Sequence, residues 1–168
     1  QWAALSHTQP RNTKVTSGQH RAKLRLIKVR RIFEFRQIEV EPLSWARTGS
    51  AYAESCHTKA RSLGGALYGV WAGQIGLDRD QGIVMTAWTD LATAKRAGPS
   101  STKADGLRTD SPVYLEATVR PKADQKPTAP GFYAHRWFHL LDSDWPEFLA
   151  LSNEAWPFLE NAVDATVL

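Results

Sequence analysis

A single cysteine, Cys56, stands in the 168 residues. No intrachain disulfide can form, which excludes a disulfide-framed secreted module and makes a reducing compartment, the cytoplasm, the expectation. No apolar run approaches the roughly 18–20 residues that cross a bilayer, so no membrane span is expected. Metal motifs are missing too. His135 and His139 are four apart on an expected strand, with no H-x-x-E or C-x-x-C spacing nearby. Neither a Walker A loop nor a G-x-G-x-x-G turn occurs, and the expectation is no metal and no cofactor. Cys56 falls on the apolar face of an expected helix and reads as an inert thiol.

Acid is missing from the first 31 residues. They hold eight basic residues: Arg11, Lys14, Arg21, Lys23, Arg25, Lys28, Arg30 and Arg31. Of the chain's 21 basic residues that leaves 13 against 17 acids, so the remainder is net −4 although the whole is +4. Such an arm suits nucleic acid or an anionic surface, or a targeting peptide, or a leader with no packed core. The chain is therefore divided into a basic, disordered leader (1–31) and a body. It begins at Gln1 with no initiator Met and reads as a fragment.

From Ile32 the pattern changes. Residues 32–40 are rich in β-branched and aromatic side chains and predict a strand. Trp45, Gly49, Tyr52, Cys56, Ala60 and Leu63 recur at steps of three and four, one face of a helix that Gly64-Gly65 closes. A strand over 66–75, a turn at 77–82 and a strand over 83–88 make a hairpin. Asp90 caps a short helix ending at Gly98-Pro99, Ser100–Ser111 is a polar loop, and 113–119 is a fourth strand. The order β-α-β-β-α-β predicts an α+β, ferredoxin-like unit over 32–120, with an antiparallel sheet and both helices on one face. A linker with three prolines follows at 121–131. A strand over 132–140 and a helix from Asp142 come next, with Pro157 expected to bend or restart that helix.

At an offset of 100 residues Arg36 falls on Arg136, Trp45 on Trp145 and Glu54 on Glu154, and the strand and helix phases agree. Residues 132–168 therefore read as the first strand and helix of a second repeat, truncated where its next strand should begin. That half-repeat is expected to dock on repeat one or on a second chain.

Tyr68-Gly69-Val70-Trp71-Ala72-Gly73-Gln74-Ile75-Gly76-Leu77, followed by Ile83 to Asp90, resembles the hairpin of NIPSNAP-type proteins. Tyr133-Ala134-His135-Arg136-Trp137-Phe138, with a helix starting near Trp145, resembles them as well. These proteins belong to the dimeric α/β-barrel superfamily, which also holds antibiotic-biosynthesis-monooxygenase-like proteins. Asp78-Arg79 departs from the Asn often found after the Gly-Leu element. The resemblance implies two sheets facing each other, from a homodimer or from paired repeats within one chain. It implies no single chemistry.

Alternation places Tyr133, His135, Trp137 and His139 on one face of the 132–140 strand and Phe138 and Leu140 on the other. In 32–40 the matching sets are Phe33, Phe35, Gln37, Glu39 and Glu34, Arg36, Ile38, Val40. Ile38, Val40, Phe138 and Leu140 are expected under the helices. Tyr133, His135, Trp137, His139, Gln37 and Glu39 then face the space between sheets, where a small apolar ligand would sit. Arg36 and Arg136 are expected either to hold an anionic ligand or to pair with Glu54 or Glu154. Trp45, Trp71, Trp88, Trp145 and Trp156 are expected to be mostly core. One function is a ligand-binding or interaction module of undetermined activity. The alternative is a cofactor-independent monooxygenase or isomerase acting on an aromatic or polyketide-like compound, with His135 or His139 as general base. RNA binding of the RNA-recognition type needs a K/R-G-F/Y-G/A-F-V-x-F/Y stretch that 83–88 lacks, so nucleic acid is expected only through the basic leader.

Overall fold

The computed structural model describes residues 2–4, 32–98, 106–122, 125–127, 130–163 and 166–168. Strand β1 (Trp2–Ala4) is followed by β2 (Ile32–Glu39), a π-helical turn (Trp45–Gly49), α1 (Ser50–Ser62), β3 (Ala66–Ala72), β4 (Gln81–Trp88), α2 (Leu91–Ala97), β5 (Arg108–Thr109), β6 (Val113–Ala117) and α3 (Trp145–Val163). The sheet runs β1-β6-β2-β4-β3, all antiparallel, with the two-residue β5 paired off this path to β2. Each helical crossover spans a strand: β4 lies between β2 and β3, and β2 lies between β4 and β6. This is an α+β antiparallel arrangement compatible with a ferredoxin-like fold. No described helix is long and apolar enough to cross a membrane.

The local signals act as physical chemistry requires. The stripe on α1 buries Tyr52, Cys56 and Ala60 against Ile38, Val84, Trp88 and Ile32, while Leu63 lies past the helix end and stays 42% exposed. Gly64 takes φ +82°, a left-handed conformation that costs glycine little, and the Gly65 N–H closes on the Ala60 carbonyl at 2.8 Å. The Asp90 carboxylate accepts the Thr93 N–H at 2.7 Å, capping α2. Both helices cover the same face of the sheet, as the order predicts. The opposite face carries Phe33, Phe35, Tyr68, Ile83, Met85, Ala87 and Leu115 as a second apolar layer.

Three expectations are corrected. Residues 132–140 form no strand. Their rings lie over the helix-free face, which offers side chains and no backbone partners, so no ladder forms. The helix from Trp145 runs to Val163 as one element through Pro157, so of the expected bend or restart the restart is excluded. Of the tryptophans expected in the core, only Trp88 is sealed, at 4% exposure, and Trp45, Trp71, Trp145 and Trp156 are half-buried. Within the leader, Trp2–Ala4 pairs with β6, and the remaining positions of 1–31, expected to be disordered, lie outside the described residues. The helix expected at the start of a second tandem copy does begin at Trp145, as Trp45 begins the first helical turn, but the strand expected before it is absent. The Arg120 guanidinium donates to Glu160 at 3.0 Å, and the Gln125 amide donates to the Val167 carbonyl at 3.0 Å, tying α3 back to the chain after β6.

Candidate functional site

The helix-free face is built by alternation on β2 and by one close approach on β3. Phe33 and Phe35 share it, and Phe33 meets Tyr68 edge-on at 4.8 Å between ring centroids. Trp71 lies across from Ile83, which lies across from Gln37, so the three form one row across β3, β4 and β2. The Trp71 indole folds back over Gly69, where any Cβ would collide with the ring. The glycine thereby lets an indole fill the middle of the face.

Residues 132–140 cross this face as an irregular strap. Tyr133 meets Trp71 at 5.5 Å, His135 meets Trp71 at 5.0 Å and Phe35 at 5.9 Å, and Trp137 meets Phe35 at 5.4 Å, all edge-on. Each such pair is worth about 0.5–1.5 kcal/mol beyond its buried area. The imidazole of His135 is held below its ordinary pKa of 6.5 by burial, which penalises the charged form. Its Nε2 is buried with no hydrogen-bond partner among the described residues. The ring is therefore neutral at pH 7 and has an unspent nitrogen.

The other sequence-predicted residues fall in different places. Gln37 shares the face, but its amide donates to Gln81 Oε1 at 3.3 Å, toward the hairpin turn. Glu39 faces Arg108 across 3.4 Å in an exposed pair. Arg136 and His139 are exposed. Phe138 and Leu140 are not sealed beneath helices. Phe138 touches Phe148 of α3 at 5.3 Å, yet the two stay 49% and 40% exposed. Trp71, like Phe33, Phe35 and Tyr68, is a member of the aromatic group that the sequence-based set omits. Its row partner Gln37 was in that set, and the face of Trp71 is decided by an irregularity between Leu67 and Gly69 that shifts the β3 register.

Arg36 lies on the opposite face and pairs with neither Glu54 nor Glu154. Its Nε donates to Glu34 Oε1 at 2.5 Å, two residues away on the same strand, and its Nη1 reaches the Asp110 carbonyl at 3.4 Å. The second oxygen of Glu34 accepts the Trp88 indole N–H at 2.9 Å. Both charged residues are 5% exposed, sealed by α1 and α2. A partner two residues along the same strand costs less ordering than one on a separate element, so the local pairing wins. A slot of about 20 Å³ opens beside this pair, between Cys56, Lys59 and Ala60 of α1 and Gly98 at the end of α2. The slot is separate from the aromatic face. Among the described residues no cluster of His, Cys, Asp and Glu could hold a metal ion.

No protein-family model matches the chain, and no curated protein or solved structure matches it.

Proposed function

We propose that the chain is an interaction module of the NIPSNAP-like, dimeric α/β-barrel kind, which pairs through the helix-free face of its sheet with the same face of a second copy. The observation that carries this reading is the unequal cover of that face. Phe33 beneath it is fully buried, while Trp137 in the strap is 50% exposed and Phe132 and Leu141 at the strap's ends are 97% and 71% exposed. Exposed aromatic groups joined to a buried aromatic layer mark an association surface. The strap and α3 take the part of the opening strand and helix of the second tandem unit. Sedimentation velocity tests the proposal. The expected result is a concentration-dependent dimer that Trp137→Ser, on the exposed side, converts to monomer. A wild-type protein that stays monomeric at every concentration would sink it.

A second reading, a cofactor-independent monooxygenase or isomerase, draws support from one group. His135 is neutral, partly buried and has an unspent Nε2, the properties of a general base. Oxygen uptake with phenolic polyketide-like compounds tests it. Activity lost in His135→Ala, with the circular dichroism unchanged, would support it, and activity kept would remove His135 from the role.

A further inference from the structure

We propose that the open edge of β3 pairs with the same edge of a second copy, antiparallel about a two-fold axis at Trp71, in a contact that does not rest on the association face. β3 closes one side of the sheet, and among the described residues β4 is its one strand neighbour. An open edge presents a row of backbone donors and acceptors, and folded proteins blunt such edges with charges or proline. This edge carries neither. No charged residue and no proline stands between Arg61 and Asp78.

The register decides which backbone groups point outward. The Gly73 N–H donates to the Gln81 carbonyl at 2.8 Å, so Gly73 turns toward β4. Trp71 and Gly69, opposite Ile83 and Met85, turn the same way, because the direction alternates along a strand. Val70 and Ala72 therefore point their N–H and C=O groups to the open edge. The irregularity between Leu67 and Gly69 breaks the alternation and ends the usable run. Val70 and Ala72 are symmetric about Trp71. In antiparallel pairing each Val70 faces Ala72 of the other copy, and every such pair exchanges both N–H···O bonds. One patch is thus used twice about a two-fold axis.

The side chains fit the same register. On the helix-free face the Trp71 indole folds back over its own Gly69. Gly69 there faces Gly73 of the second copy, so no side chain stands in the path of the indole. On the helix-covered face the exposed Ala72 faces the half-buried Val70 of the second copy, and a methyl group leaves room for the branched side chain. A strand of another sequence has no reason to place a glycine and an alanine at these positions, and an edge without charge offers a charged strand no counter-ion. The second copy is therefore the occupant. Since Val70 and Ala72 supply all the bonds, the contact is weaker than the face contact, with an expected dissociation constant in the millimolar range.

The test uses the full chain carrying Trp137→Ser, which removes the face contact at a ring lying over Phe35 of β2, so the edge is measured whether or not the face reading holds. Amide spectra are followed from micromolar to millimolar protein. The Val70 and Ala72 amide signals are expected to shift with concentration toward saturation. A sample mixing isotope-labelled and unlabelled copies is expected to show a nuclear Overhauser contact between the Trp71 Hα protons of the two copies. Ala72→Pro removes an outward N–H and spares the bonds from β3 to β4, so it is expected to weaken the association about tenfold or more. Ala72→Glu keeps the N–H and sets like charges beside each other at the axis. It is expected to weaken the association too, and added salt should restore part of it, which a misfolded variant would not show. Signals that stay unmoved at millimolar protein would overturn the proposal. So would shifts without the contact between Trp71 protons, which put another surface or strand at the interface, or association unchanged in both Ala72 variants.

Discussion

The two faces of β2 carry the same alternation under different covers. Ile32, Glu34, Arg36 and Ile38 lie beneath α1 and α2, none more than 7% exposed. Phe33, Phe35, Gln37 and Glu39 face the other way, toward the strap. A helix satisfies its own backbone groups and can lie flat on a sheet, so it seals even a charged pair. The strap has no ladder and no helical bonds. Its backbone must keep access to water, and only alternate side chains reach the sheet. The sealed face therefore demands that its polar groups pair with one another. The half-sealed face leaves aromatic groups available for contact.

Breaking the sealed face gives the largest expected effect. Glu34→Ala strands the Arg36 charge and removes the acceptor of the Trp88 indole N–H. The expected loss is about 3–5 kcal/mol, the cost of leaving a buried charge unpaired. Replacing both residues, Glu34→Met with Arg36→Met, is expected to restore most of it, because the charges then leave together. Urea denaturation of the three proteins checks this. If Glu34→Ala costs under about 1 kcal/mol, water in the slot hydrates Arg36 and the face is not sealed.

A gradient within the strap-covered face comes next. Phe33 is fully buried and meets Tyr68, so Phe33→Ala is expected to cost about 3–5 kcal/mol. Trp137 is half exposed and touches Phe35 edge-on, so Trp137→Ala is expected to cost about 1–2 kcal/mol. Equal costs for the two, measured by denaturation of the monomer, would mean that the strap seals its face as well as the helices seal theirs.

The difference in cover also explains what was legible in the sequence. Within 32–118 the signals are local and mutually consistent: the α1 stripe, the Gly64 stop, the Asp90 cap and the β-branched strands. Their order is enough to place both helices on one face. The phase of β2 was readable because alternation is strict in a strand without a bulge. The alternation of Tyr133, His135 and Trp137 was readable too, and these three do meet the sheet. The absence of a ladder for 132–140 was not readable, since side-chain pattern carries no information about whether backbone partners exist. Arg36 choosing Glu34 was hidden for a related reason. Two residues of one strand face share a side by the same alternation, yet the helical acids Glu54 and Glu154 were the partners that the offset of 100 suggested. The short pairing of Arg108–Thr109 with β2 lay inside a segment that reads only as a polar loop.

The smallest expected effect concerns the strap alone and depends on pH. Docked, His135 is edge-on to Trp71 and Phe35, and burial lowers its pKa. Undocked, it titrates near the ordinary 6.5. Above that value both forms are neutral and docking is at full strength. As the pH falls below it, the undocked form takes up the proton first, so docking weakens progressively until the docked imidazole is protonated as well. The other groups on this face do not replace it: Gln37 is uncharged and Glu39 is engaged with Arg108. Amide hydrogen exchange over 132–140, corrected for the intrinsic pH dependence of exchange, is expected to show less protection at a pH of about 5.5 than at about 7.5. The helix-covered strands should show no comparable change. His135→Phe keeps a ring between Trp71 and Phe35 and removes the titration, so its protection should be the same at both values. If that variant keeps the wild-type pH dependence, the strap is not held by the neutral form of His135.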